Sequence, residues 1–376
     1  MLDIWTIAPS KWGVKIESNT KVLSARSKEW RYSNHDGRLS FSATRMVTDQ
    51  TAFEMEERFK SNALGEWWVP MFDQMDVHDS IPAGTDTLTV SPHHRYVVGG
   101  DVVVSNGLLG EHNTVQSITG NQLVLAAPIT GTYTRSMCGG IPYVAPAVRC
   151  ISTGLKRNIS FSATVFTIGF VAIVTMDAPS PTYDQYGGLS VIPDGAQKLD
   201  GFGGGITQRH AVLDDGFGNY EVAAVETYQR ERSLITFNVF NKDIAAVVYD
   251  WLLSQHGKDV PFWLPTWRQD LTIAAPAGIG DSVISVSNTV TDTLSIVGQD
   301  LMIWDGTTRI YVKVTNAALS GGNIVLSITP NLPVAIGAGA KISKLKKVRL
   351  DSNEIDIDFI PSGPMATEIS VVEVVE

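Results

Sequence analysis

Cysteine is almost missing from this 376-residue chain: there are two, Cys138 and Cys150, and neither lies in a CxxC. Two thiols cannot build a disulfide framework or a four-cysteine metal or cluster site, so free thiols are expected. Charge is also scarce, at 18% of residues, and what there is sums to −10. That balance excludes a general basic surface of the kind that holds nucleic acid by its phosphates. The one basic run, "KISKLKKVR" from Lys341 to Arg349, carries Ile342, Leu345 and Val348 between its charges and reads as a strand or turn with a solvated charged face. No membrane-length apolar run is present, since the best candidate, Phe161 to Met176, is broken by Ser162, Thr164, Thr167, Gly169 and Thr175. The opening "MLDIWTIAPSKWG" has neither a basic nor an apolar region of a signal peptide, so the expectation is a soluble product made in a cytoplasm.

What the chain has is apolar residues, at 44%, with abundant Gly, Pro, Ser, Thr and Val. This is material for strands and turns, and a mainly β fold with a few short helices is expected. The chain also repeats itself. "VGGDVVVSNG" at 98–107 returns as "VGQDLMIWDG" at 297–306, which matches Gly99, Asp101 and Gly107 with Gly298, Asp300 and Gly306. Each copy ends in an Asn-Gly or Asp-Gly hairpin signal. Upstream, "WWVPMFDQ" faces "FWLPTWRQ", so that Trp68, Pro70, Phe72 and Gln74 match Trp263, Pro265, Trp267 and Gln269. "TDTLTVS" (85–91) faces "GDSVISVS" (280–287), "GNQLVL" (120–125) faces "GGNIVL" (321–326), and Val148-Arg149 faces Val348-Arg349.

Before each W-x-P block stands a helical pattern. In the first, Thr51 and Glu54 have capping-box spacing, and Ala52, Met55 and Phe59 form the stripe. In the second, Asn241 or Asp243 caps a stripe of Ile244, Val247, Val248, Trp251 and Leu252. These matches predict two tandem copies of one β domain, at 1–176 and 211–376, each a sheet or split barrel with one helix. Each carries an inserted small barrel-like β module, at about 75–147 and 270–347, and a return strand near 159–166 or 353–360. The Gly- and Pro-rich stretch 177–210 is expected to be a linker or arm.

No chemistry emerges from the remaining residues. "GFGGGITQ" (201–208) lacks the strand before and helix after that a phosphate loop needs. His93 and His94 are adjacent and have no ligand-spaced partners. Asp73 is matched by Arg268, and Asp76, Asp214 and Asp215 sit in turn contexts. No catalytic, cofactor-binding or metal-binding residue is assigned, and the chain is read as non-enzymatic.

The plan of a β domain with one helix and a module introduced by W-x-P-x-aromatic, carried by Trp68, Pro70, Phe72, Trp263, Pro265 and Trp267, resembles the distal tail and hub proteins at the tail tip, or baseplate, of long-tailed bacteriophages. The resemblance implies a virion structural protein whose tail-tube-like domains form a ring at the end of the tube. Tail tube protein would lie above, receptor-binding parts below, and DNA would pass through without specific binding. A duplicated chain suits a trimer with pseudo-sixfold symmetry, with a hexamer as the alternative. An acidic balance suits a channel that repels DNA. Some hub proteins carry a cysteine-bound iron–sulfur cluster, which two cysteines cannot hold. Two other classes remain: a carbohydrate-binding or adhesion module, which exposed Trp5, Trp12 or Trp30 would favour, and a cell-wall hydrolase, which needs acids or histidines converging in a cleft.

Overall fold

Strand-forming segments of alternating apolar and small polar residues dominate the chain, and the computed structural model is accordingly mainly β, with two α-helices among the described residues. Those residues are 3–6, 8–25, 28–62, 65–91, 96–107, 109–135, 140–160, 163–173, 183–194, 204–207, 210–214, 220–224, 230–288, 294–359 and 365–374. In the first half we number β1 (Asp3–Ile4), β2 (Lys11–Ala25), β3 (Lys28–Val47), α1 (Asp49–Ser61), β4 (Glu66–Pro70), β5 (Thr87–Thr89), β6 (Asp101–Ser105), β7 (Gly110–Thr119), β8 (Gln122–Leu125), β9 (Tyr143–Ser160) and β10 (Ala163–Ala172). In the second are β11 (Gly204–Thr207), β12 (Arg230–Val239), α2 (Lys242–Ser254), β13 (Phe262–Pro265), β14 (Val283–Ser287), β15 (Asp300–Trp304), β16 (Arg309–Ser320), β17 (Asn323–Thr329), β18 (Lys341–Leu350), β19 (Glu354–Phe359) and β20 (Met365–Glu373). Shorter strands are named by residue.

The same pairing pattern occurs twice. In the first half β2 pairs with β3, β3 with β10, β10 with β9, and β9 with β4 and β6. In the second, β11 pairs with β12, β12 with β20, β20 with β18, and β18 with β13 and β15. The two halves also join. β2 runs antiparallel to β19, from Trp12 opposite Phe359 to Glu17 opposite Glu354, and β19 in turn pairs with β20. One sheet therefore passes through both halves in the order β11-β12-β20-β19-β2-β3-β10-β9-β4-β1.

A single apolar cluster lies on one face of this sheet. It contains Trp12, Val14, Phe41 and Phe170 from the first half and Phe237, Ile355, Ile357 and Val371 from the second. Both helices cover it. α1 contributes Ala52 and Met55, with Phe59 partly buried, and α2 contributes Val248, Trp251 and Leu252, as their stripes predict. Asn241 caps α2 by accepting from the Asp243 amide, whereas α1 starts at Asp49 with Thr48 at its N-cap, so Thr51 lies inside the helix.

Two further clusters stand apart from the main one. The first gathers Ile81, Leu88, Val102, Val104, Val115, Leu123 and Leu125, and the second gathers Ile284, Leu301, Ile303, Val314, Leu326 and Ile328. Their hairpins correct the sequence matching. The Val115 amide and carbonyl bond to Gly100 and Gly99, as those of Val314 bond to Gln299 and Gly298, which makes Val115 and Val314 equivalent. Leu125 then faces Val115 as Ile328 faces Val314, so Leu123 corresponds to Leu326, not to Ile324. "GNQLVL" and "GGNIVL" share the turn, but the second hairpin is two residues longer on each strand. Its turn projects further while its core residues stay in place.

Three other expectations shift. Arg149 lies opposite Trp68, and it is Lys347 that lies opposite Trp263, so Val348-Arg349 is two residues out of register with Val148-Arg149. The return strands are β10 and β20; residues 159–160 end β9, and 354–359 form β19. Part of the 177–210 stretch belongs to the second half itself. Val191 pairs in parallel with Trp263 and the Ile192 amide bonds its carbonyl, as Ile4 pairs with Trp68 and the Trp5 amide bonds that carbonyl.

Candidate functional site

Trp68 and Trp263 each stand where an inserted segment meets the main sheet, and each is tied to an aspartate on that segment through a second aromatic ring. Trp68 is buried and stacks on His112, with centroids 4.3 Å apart and planes 13° off parallel. Nε2 of His112 lies 2.6 Å from Oδ1 of Asp101. The Arg149 guanidinium, which also pairs with Glu66, lies 5.9 Å from the Trp68 ring centre. Charge, stacking and a carboxylate bond thus converge on one tryptophan, which fixes the first inserted segment to β4.

The second half builds the same node from other residues. Tyr311 takes the ladder position of His112, since it lies opposite Met302 as His112 lies opposite Val103. The ring between Trp263 and Asp300 is supplied by Tyr186, 5.7 Å from Trp263 and 5.8 Å from Tyr311. The Tyr186 hydroxyl donates to Asp300 Oδ1 at 2.7 Å, and its carbonyl accepts the Trp263 indole N–H at 2.9 Å. Tyr311 donates to Asp184 at 2.6 Å. Burial, then the neighbouring carboxylates, push both phenols well above their ordinary range, so they act as protonated donors. Sequence matching found Trp263 and Asp300 but missed Tyr186, which lies in a stretch with no periodicity.

The other matched residues serve local structure. Gly99 and Gly298 adopt φ of +80° and +85°, and Gly107 and Gly306 φ of +88° and +104°, which an L side chain resists. The Asn-Gly and Asp-Gly signals close hairpins through four-residue loops: Ser105 faces Gly110, and Trp304 faces Arg309. Asp305 Oδ1 accepts the amides of Thr307 and Thr308, which lowers its pKa; Asn106 accepts that of Leu109. Pro70 and Pro265 end their strands, opposite Ala147 and Leu345. Beyond the prolines the copies part. Phe72 packs edge-on against Trp12 and Gln74 is buried, whereas Trp267 has a φ of +51° and Gln269 is exposed. Asp73 accepts the Trp12 indole N–H at 2.9 Å. Phe41, which stacks on Trp12, corresponds in the ladders to Ser233, and Leu39 and Val148 of the same core correspond to Glu231 and Lys346, which pair with each other.

Where β2, β3 and β10 meet, the sheet face turned away from the core carries small and polar residues, while Ile151, Val171 and Leu234 lie on the same face to either side. Gly13, Ser40, Ser42, Thr44, Thr167 and Gly169 lie on it, and the Thr44 and Thr167 hydroxyls are 3.1 Å apart. At the β2–β19 junction Lys11 pairs with Asp358 at 3.0 Å and Lys15 with Glu354 at 2.9 Å, and within β2 Lys15 also pairs with Glu17 at 3.1 Å.

Trp5 and Trp12 are 4% and 1% exposed, which removes two of the three tryptophans that favoured sugar binding; the Trp30 side chain, Cys138, His93, His94 and Asp215 lie outside the described residues. Residues 204–207 of the glycine-rich stretch form β11. The basic run is β18, with Lys341 over the Trp304 ring and Arg349 buried. Cys150 is a buried free thiol. Among the described residues no three His, Cys, Asp or Glu side chains gather as metal ligands, and no helix is long and apolar enough to cross a membrane. Comparison with protein-family models and with curated proteins finds no match to this chain.

Proposed function

We propose that this chain is a structural protein of a phage tail tip, made in the bacterial host cytoplasm and built into the virion as a ring that joins the tail tube to receptor-binding parts. In this reading three chains present six quasi-equivalent halves, and the sheet face turned away from the core lines the channel for DNA. The supporting observation is the sheet that runs unbroken through both halves with its apolar face sealed by α1 and α2. On the opposite face Lys11 and Lys15 of β2 are paired with carboxylates, Lys11 with Asp358 and Lys15 with Glu354 and Glu17, which weakens their hold on a passing polyanion. Burial of Trp5, Trp12 and Trp68 makes these three tryptophans structural and so favours this reading over sugar binding.

The test is location. Antibody against the chain should label one end of purified phage tails, with about three copies per tail by quantitative mass spectrometry. Absence of the chain from purified particles would overturn the proposal.

A further inference from the structure

Within one chain the first half already meets the second by edge-to-edge strand pairing, and this contact is heterologous: the β2 edge of one half meets the β19 edge of the other. Six ladder positions hold it. Ile16 and Ile355, both buried, lie opposite each other, as do Val14 and Ile357. The Ser18 amide bonds the Asn353 carbonyl at 2.9 Å beyond the last pair.

Each half owns both kinds of edge. The ladders make β11 the counterpart of β2: Gly204 lies opposite Ser233 as Val14 lies opposite Phe41, and Ser233 faces Val371 as Phe41 faces Phe170. They make the distal part of β9 the counterpart of β19, since Arg157 faces Phe166 as Ile357 faces Thr367. One junction between the halves is formed among the described residues. Among the described residues, β11 pairs with β12 alone, and residues 154–160 pair with β10 alone. Both open edges are the equivalents of edges that are buried against each other elsewhere in the same molecule. The difference shows in the side chains: Ile355 is buried, while its counterpart Leu155 is only partly so, and Ile159 beside it is 65% exposed. Open strand edges are strong templates for a further strand.

We propose that the free edges complete each other between copies of this chain, residues 154–157 of one copy pairing antiparallel with Gly204–Thr207 of the next. Transposing the internal junction sets the register: Arg157 opposite Gly204, Lys156 opposite Gly205, Leu155 opposite Ile206, and Gly154 opposite Thr207. The proposal rests on the ring reading above and names its contact. A heterologous contact repeated with one fixed rotation closes into a ring when that rotation divides a full turn, and the internal junction then supplies every second contact in it.

Cysteine pairs test this register. In a Cys138→Ala background, with Cys150 left buried, Lys156→Cys protein mixed with Gly205→Cys protein should form a disulfide between chains on mild oxidation. The Lys15→Cys, Asp356→Cys double variant should close within a chain, and the out-of-register mixture of Lys156→Cys with Thr207→Cys should stay reduced. The unmodified chain provides an independent reading: amides of 154–157 and 204–207 should gain hydrogen-exchange protection as protein concentration rises. An internal pair that closes while Lys156→Cys and Gly205→Cys never link would overturn the contact, as would exchange at 154–157 that is independent of concentration. If the chain nonetheless forms trimers by native mass spectrometry, the contact alone fails and the ring reading stands. A chain that stays monomeric at all concentrations overturns the contact, and labelling of purified tails decides the ring reading separately.

Discussion

Ile16 of β2 and Ile355 of β19 are 4% and 3% exposed and directly opposed, so each half seals the other's core at this point. Replacing Ile16 with Ala removes buried methyl and methylene groups and leaves a cavity, at a cost of about 3 kcal/mol within a usual range of about 2–5. Because the ladder is shared, the loss should be felt on both strands. Hydrogen exchange read by mass spectrometry should therefore speed up about a hundredfold in peptides covering 12–17 and, equally, 354–359, since about 1.4 kcal/mol corresponds to each factor of ten. Ile355→Ala should give the same pattern. The double variant should cost less than the sum of the singles, with a coupling of about 0.5–3 kcal/mol, because the two residues border one cavity. Protection lost only on the mutated strand, or strictly additive costs, would show that the halves are independent domains in loose contact and would refute the shared core.

Four further outcomes follow from local geometry. Gly99→Ala and Gly298→Ala should each destabilise by about 1–2 kcal/mol in chemical denaturation, and by similar amounts, because both need positive φ in otherwise open space. Tyr186→Phe removes the hydroxyl donated to Asp300 and should raise protease cleavage within 183–194, while Trp263 keeps its bond to the Tyr186 carbonyl. Burial lowers the pKa of His78 below 6.5, and its folded form therefore binds protons less readily than its unfolded form. Its contribution is full above pH 6.5 and is lost as pH falls from there towards the lower folded pKa, so His78→Gln should lose less thermal stability than wild type between pH 7.5 and 5.5. Burial raises the Cys150 thiol far above its ordinary range, so site-resolved labelling should find it unreactive in the native state and labelled on unfolding.

The sequence displays the repeated frame where residue identity and backbone need coincide. Gly99 and Gly298 match because both turns require positive φ, and Trp68 and Trp263 match because both clamp an inserted segment to the sheet. It misleads where identity marks a turn but not a core. "GNQLVL" and "GGNIVL" share their turn residues, while the buried equivalents Leu123 and Leu326 are displaced by a lengthened hairpin. Two-residue contacts such as Val191 with Trp263 have no periodicity to detect, and neither does Tyr186, which enters its node from a loop. The β2–β19 junction escapes for a related reason: both strands alternate as any half-buried strand does, and nothing in either names its neighbour. The W-x-P-x-aromatic-x-Q match is sound as far as the proline, after which Phe72 and Trp267 take different backbone conformations.

Electron cryomicroscopy of the assembled protein tests the central claim most directly. The account predicts three chains about a threefold axis, with the β3-β10-β9 arrangement of the first half and the β12-β20-β18 arrangement of the second alternating six times around a continuous sheet. A closed twofold dimer, or a ring in which the sheet breaks between chains, would contradict it.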